Sequence, residues 1–152
     1  MSTPIIRSVT GTSITRAYAN TIATGAYCNS ADAVRVQQSA LSTAGLLLFD
    51  ARLTGVAFSA APTAGSVQLA VVDRDASGNI GPTPTANIIP NKIYTFGPLI
   101  GSSNASTGWI MGIDSIPIAA DQDLWLFNNG TGVTMNIGSS MTLTVVPWSP
   151  GT

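Results

Sequence analysis

The sequence contains no histidine and no glutamate, and Lys92 is its only lysine. Proton-transfer catalysis near neutral pH most often uses a histidine, or a glutamate or lysine whose pKa is shifted by its surroundings. Cys28 is the single cysteine, and because no imidazole can activate it, we interpret it as a small buried apolar residue. We therefore predict that the protein is not an enzyme and has no catalytic residue and no cofactor.

Charge is also scarce: charged residues make up 9% of the chain, hydrophobic residues 45%, and the formal net charge is -1. Nucleic acids and anionic membranes are bound by concentrated positive charge, so we expect no nucleic-acid and no membrane partner. From Leu124 to Thr152 the chain carries no charge, but "NNGTGVTMNIGSS" interrupts it, and a membrane helix needs about 20 apolar residues. We expect this segment to be buried in a core or against another subunit.

The fold class follows from the same omissions. Exposed helix faces are normally filled with Glu, Lys, Gln and Arg, whereas this chain is rich in Thr, Ser, Val, Ile, Gly and Asn, which are typical of strands and turns. Short apolar stretches alternate with turn residues along the chain and predict strands, for example "SITRAY", "GAYCNS", "SVQLAVVD", "KIYTFGPLI", "DLWLFNN", "VTMNI" and "MTLTVVPW". This pattern predicts an all-β protein, an antiparallel β-sandwich of jelly-roll type with at most one short helix.

Two local patterns sharpen this prediction. In "SVQLAVV", Val67, Leu69 and Val71 share one face of a strand, which we expect to face the core. Gly55 interrupts the alternation of "RLTGVAFS" and indicates a β-bulge. The one helix candidate lies in "ADAVRVQQSALSTAG" and would end near Gly45, but its valines fit a strand equally well.

At 152 residues the chain fits one domain, which we place at residues 20–152. Residues 1–19 have two interpretations: an N-terminal arm that reaches a neighbouring subunit, or a frayed end followed by a first edge strand. The start "MSTPIIRSVTGTSITRAY" contains no apolar run flanked by basic residues, so we expect synthesis and folding in the cytoplasm.

One segment, "DRDASGN", carries oxygen-bearing side chains in the order of a calcium-binding loop: Asp73, Asp75, Ser77 and Asn79. Calcium takes six to eight oxygen ligands, and the bidentate carboxylate expected at the twelfth loop position is replaced by Pro84. Asp, Ser, Gly and Asn are also the residues that a tight turn after a strand requires. We therefore predict a surface turn and no metal site, with these four residues as the only candidate ligands.

Paired carboxylates offer the remaining route to chemistry. Asp73 with Asp75, and Asp121 with Asp123, could share a proton or attack a sugar. Each pair adjoins turn residues, and neither lies in the Asp-Thr-Gly or Asp-Ser-Gly context of an aspartic protease. The pairs therefore do not change the prediction of a non-enzymatic protein.

The aromatic residues concentrate in the second half of the chain: Tyr94, Phe96, Trp109, Trp125, Phe127 and Trp148. Core packing explains them, because aromatic side chains dominate sandwich cores. The alternative is a sugar-stacking surface formed by Trp109 or Trp125.

With these features in view, the chain resembles the small, charge-poor, histidine-free structural proteins of tailed bacteriophages, particularly jelly-roll head decoration (cement) proteins. The resemblance lies in the start "MSTPIIRS", the segment "ARLTGVAFSAAPTAGSVQLAVVDRDASGNIGPTP" and the late "DLWLFNNGTG". It implies a virion component, often trimeric, that binds the outside of the capsid where major capsid subunits meet. Tail or fibre positions look similar, and the resemblance assigns no individual residue a role.

Two functions of different class follow. The first is a capsid decoration protein that works as a homotrimer on the capsid surface, with residues Ser2 to about Thr15 as the shell-facing anchor. The second is a carbohydrate-binding or adhesin-like β-sandwich.

Overall fold

The computed structural model describes residues 7–9, 13–36, 48–74, 84, 90, 92–98, 109–117 and 121–150. The strands in these ranges are β1 Arg7–Val9, β2 Ile14–Ala17, β3 Val34–Val36, β4 Leu48–Val56, β5 Ser66–Asp73, β6 Lys92–Pro98, β7 Trp109–Pro117, β8 Gln122–Asn129 and β9 Thr142–Pro150. One short 3-10 helix, Ser30–Asp32, precedes β3. Within the described residues, no helix is long and apolar enough to cross a membrane.

The strands form two antiparallel sheets. In the five-stranded sheet the order is β9, β4, β7, with β1 and β2 pairing one after the other along the far edge of β9; in the four-stranded sheet the order is β3, β8, β5, β6. The pairs β2–β9, β3–β8, β4–β7 and β5–β6 are nested within one another and alternate between the two sheets. A long hairpin wound in this way is a jelly roll, so the predicted fold class is confirmed.

The core lies between the sheets. Leu143 and Val145 of β9 are buried and alternate with half-buried threonines, as expected of a strand with one inward face. The predicted inward face of β5, Val67, Leu69 and Val71, is buried as well.

The opposite face of the four-stranded sheet is buried at one end of its two central strands. Ala70 and Val72 of β5 alternate with the core residues, and their register partners on β8 are Trp125 and Asp123. All four residues are buried. At these positions both faces of the sheet are removed from water, which explains why "LAVV" and "LWL" are continuous apolar runs.

Gly55 lies at the predicted bulge. The pairing of β4 with β7 shifts register between Leu53 and Val56, and Gly55 has a φ of 67°. A Cβ atom at this position would lie 2.4 Å from the carbonyl oxygen of Ser140, so only glycine fits without displacement of the backbone.

Some sequence predictions are met only in part. The stretches "GAYCNS" and "VTMNI" form isolated bridges and not full strands, between Tyr27 and Phe127 and between Met135 and both Ile22 and Phe58. Within the helix candidate, Val34–Val36 form β3, and residues 37–45 lie outside the described part of the chain. The strand interpretation of the two valines is therefore confirmed.

The N-terminal segment and the charge-free C-terminal segment both contribute to the sheets. The described parts of residues 1–19 include β1 and β2, which pair with β9. The strand β9 lies between these strands and β4, and β8 lies between β3 and β5. The strands of the charge-free segment thus pair with other strands of the same chain.

Candidate functional site

The candidate calcium loop begins at the end of β5. Asp73 is the last residue of that strand, and its Oδ1 accepts a hydrogen bond of 3.0 Å from Nε2 of Gln122. Asp75, Ser77 and Asn79 lie outside the described residues. Among the residues that the structure describes, no three side chains of the metal-binding types come together. The predicted turn and the metal alternative both remain predictions.

The Asp121 and Asp123 carboxylates are each held by an arginine. Arg35 of β3 contacts Asp121 at 2.8 Å on the surface, whereas Arg74 contacts Oδ1 of Asp123 through Nη2 at 2.8 Å and through Nε at 3.1 Å. The side chains of the second pair are only 11% and 3% exposed. The two pairs tie the end of β5 and the edge strand β3 to the start of β8. Sequence analysis missed both arginine partners, which lie 86 and 49 residues away along the chain.

Cys28 is buried, as predicted. Its backbone N–H donates a 2.8 Å hydrogen bond to the carbonyl of Leu126 on β8. Burial raises the pKa of its thiol to about 12, so the nucleophilic thiolate is strongly disfavoured in the folded chain.

The aromatic residues mostly serve packing. Trp125 is 1% exposed, so the alternative that it forms a sugar-stacking surface is wrong, and the core interpretation is confirmed for it and for the buried Phe96. Phe127 stacks on Tyr27 with ring centroids 4.3 Å apart, and both rings are half-buried. Trp109 begins β7, and its side chain lies outside what the structure describes.

Trp148 belongs to a second polar arrangement, on the outward face of the five-stranded sheet. Its Nε1 donates to Oδ1 of Asp50 at 2.9 Å, and the backbone N–H of Ser115 donates to the same oxygen at 2.8 Å. Ser115 has a φ of 61°, and β4 and β7 shift register opposite Asp50. The carboxylate thus occupies a bulge in β7 and binds the amide that the bulge exposes.

A cleft of about 330 Å³ opens beside Asp50. It lies across the three strands β4, β7 and β9 and is lined by Asp50, Ala51, Arg52, Gly112, Asp114, Thr144 and Val146. Arg52 is the register partner of both Gly112 on β7 and Thr144 on β9, so these residues share one face. Ile110 precedes Gly112 by two residues on the same face and is 72% exposed. We call this surface the open face and define it as Ile110 together with the outward residues of the cleft, Arg52, Gly112, Asp114, Thr144 and Val146.

The open face carries one charge of each sign beside the bound Asp50. Arg52 and Asp114 are both exposed, and neither forms an ion pair with any residue in the described part of the chain. The rest of the surface is glycine, threonine and aliphatic side chains. Its chemistry therefore suits a contact with another protein surface more than the binding of a highly charged ligand.

Buried polar side chains that sequence analysis did not single out join the two sheets. Nδ2 of Asn128 donates to the carbonyls of Ile22 and Val133, and Nδ2 of Asn136 donates to those of Tyr18 and Asn20. Their signal in the sequence is the polar run "NNGTGVTMN" between the two apolar stretches "LWLF" and "MTLTVV", which is longer than a hairpin turn needs.

No protein-family model matches the chain, and comparisons with curated proteins and with solved structures find no match.

Proposed function

We propose that this protein is a non-enzymatic structural component of a bacteriophage virion, a decoration or cement protein that works as a homotrimer, binds major capsid subunits and stabilises the head. The observation that carries the proposal is the open face. It is a sheet surface with a protruding isoleucine, a neighbouring cleft and charges of both signs, features expected of a surface that becomes covered in an assembly.

The sequence suggested an assembly because the charge-free C-terminal segment would need to be covered. The structure supports an assembly for a different reason. β9 and the charge-free part of β8 belong to inner strands, so they need no second subunit to cover their backbone groups. The open face, by contrast, is accessible on the folded chain. The support for self-association therefore lies in side chains of β4, β7 and β9.

The edge strands of the two sheets also favour a partner that contacts a face of the sandwich. Among the described strands, β6 and β7 are outermost on one side of the sandwich, and both carry features that hinder the addition of another strand. β6 begins with Lys92 and ends with Pro98, while β7 contains the bulge at Ser115 and ends with Pro117. A partner is thus expected to meet a face of the sandwich and not to extend its sheets.

The test uses capsid shells assembled from the major capsid protein of the same genome without this chain. Added chain should raise the temperature at which the shells open, because a ligand that binds only the closed shell stabilises it. The shift should saturate with chain concentration. Shells that open at an unchanged temperature at every concentration would refute the proposal.

The carbohydrate-binding alternative now depends on other residues than Trp125. Trp109 stays a candidate for sugar stacking, and the stacked pair of Tyr27 and Phe127 is an aromatic surface among the described residues that a sugar ring could partly reach. If an oligosaccharide bound the chain, quenched its aromatic fluorescence and lost affinity in Tyr27→Ala while shells remained unprotected, this alternative would replace the capsid proposal.

A further inference from the structure

We propose that the open face is the contact between copies of this chain: Ile110 of one copy enters the cleft over Gly112 of a neighbouring copy, and Arg52 of one copy pairs with Asp114 of the other. This inference rests on the self-association in the proposed function and assigns it to a surface. It concerns the contact and not the number of copies: a two-fold pair forms the contact twice across one interface, whereas a three-fold ring forms it once between each pair of neighbouring copies.

The protrusion and the recess lie next to each other on β7. Ile110 is 72% exposed, the largest exposure among the large hydrophobic side chains of the described residues. Two residues later, Gly112 has no side chain, and a Cβ atom built there would meet only the carbonyl oxygen of Ala51, at 3.8 Å. The cleft above it is about 330 Å³, roughly ten times the share of volume of a water molecule in the liquid, so it admits a branched aliphatic side chain.

The walls of the cleft fit this occupant. Val146 offers apolar contact, and the methyl group of Thr144 adds to it. Burial of an exposed isoleucine in such a recess removes apolar surface from water on both partners. One face thus carries both a side chain to be buried and a place that can bury it.

The charges of the open face match the same arrangement. Arg52 and Asp114 have opposite signs, are exposed, and have no ion-pair partner within the described part of the chain. When a face with one charge of each sign meets a copy of itself, each charge can lie against its opposite. A partner surface of a single sign would instead bring like charges together. Self-complementarity of this kind is what closed symmetric assemblies require, and it favours a second copy over an unrelated partner.

The test measures association of the purified full chain by sedimentation equilibrium. Ile110→Ala removes the protrusion, and Gly112→Val fills the cleft at a site where the backbone tolerates a side chain. Each variant should weaken association at least about tenfold, the effect of losing one central contact. The matched controls are Ile93→Ala on β6, where the isoleucine is 46% exposed, and Gly138→Val, where an added Cβ meets only Oγ of Ser140 at 3.6 Å. Both controls should associate like the unaltered chain, and all four variants should keep its circular dichroism.

Mixing the two variants gives a stricter measurement. Ile110→Ala keeps an intact cleft and Gly112→Val keeps an intact isoleucine, so the mixture can form one contact that neither variant forms alone. It should associate more tightly than either variant by itself. The combined reversal Arg52→Asp with Asp114→Arg should likewise associate more tightly than either single reversal.

The outcomes separate this inference from the proposed function. If Ile110→Ala and Gly112→Val associate like the controls, the contact proposed here is wrong and the capsid function stands. If the unaltered chain is monomeric while it still protects shells, both the contact and the homotrimer are wrong, and only the binding and stabilisation of the capsid stand. If the variants lose association as expected but no form of the chain protects shells, the contact stands and the capsid function falls.

Discussion

Individual buried polar residues decide how the two sheets are joined. Asn136 has a φ of 64°, a left-handed conformation that asparagine tolerates better than most residues, and its side chain binds the backbone at Tyr18, Asn20 and Met141. Asn128 does the same for Ile22 and Val133. These asparagines satisfy the backbone groups of segments that have left one sheet and have not yet joined the other.

Asn136→Ala should therefore destabilise the protein by about 3 kcal/mol, because two buried carbonyls and one N–H lose their partner and alanine is less suited to the positive φ. Urea unfolding measures the loss. The control is Asn29→Ala, an exposed asparagine whose side chain makes no capping hydrogen bond, and it should stay within about 0.5 kcal/mol of the unaltered chain. Equal effects of the two substitutions would show that the buried bonds of Asn136 contribute little.

The two arginine–aspartate pairs should differ in their contribution to stability. Arg74→Met leaves the buried carboxylate of Asp123 without its cation and should cost about 3 to 5 kcal/mol. Arg35→Met breaks a pair whose side chains are 38% and 25% exposed and should cost less than about 1 kcal/mol. Unfolding in denaturant checks both values. A larger loss in Arg35→Met than in Arg74→Met would contradict the assignment of burial.

Cys28 should make stability fall at high pH. Its pKa is about 12 in the folded chain and near 8.5 when unfolded, so the unfolded state loses the thiol proton first. The contribution is fully present below the unfolded pKa and is lost as the pH rises from there towards 12. Between pH 8 and pH 10 the unaltered chain should lose about 2 kcal/mol more stability than Cys28→Ala does. An identical pH dependence in the two proteins would contradict burial of the thiol.

Strands were predictable where alternation or a continuous apolar run is long, and less so where pairing depends on a distant segment. β5 was expected at Ser66–Asp73 and is found there, because its core face is regular. "VTMNI" has strand-forming residues, yet it forms only bridges, because Asn136 turns the backbone out of the extended conformation. Burial of Trp125 was also not predictable in detail, since it depends on cover over the outward face of its sheet.

The bulge in β4 gives a test at the scale of the element. Gly55→Ala places a Cβ 2.4 Å from the carbonyl oxygen of Ser140 in a residue with positive φ, so it should destabilise the protein by at least about 2 kcal/mol. Gly112→Ala is the matched control on the neighbouring strand, where the nearest atom is 3.8 Å away, and it should be nearly neutral. Thermal unfolding at low protein concentration, where association does not contribute, compares the two. Similar melting temperatures would mean that the bulge does not require glycine.

At the scale of the whole molecule, the nested pairing of β2–β9, β3–β8, β4–β7 and β5–β6 makes the fold depend on contacts between the two ends of the chain. Composition could predict the fold class, because residues that favour exposed helix faces are scarce throughout the sequence. It could not identify the open face, whose residues come from β4, β7 and β9 and meet only through the topology. The topology also decides between the two roles expected of the charge-free C-terminal segment. Its strands lie inside the sheets and not against another subunit.

The measurement that tests the central claim most directly is the amount of chain bound at saturation to capsid shells made without it. A trimer at each three-fold and quasi-three-fold position of a capsid lattice places one chain against each major capsid subunit. Co-sedimentation followed by quantitative mass spectrometry should therefore reach a plateau of one bound chain per capsid subunit. Chain that stays in the supernatant at all concentrations, with none bound above the level of an unrelated β-sandwich protein, would contradict the account.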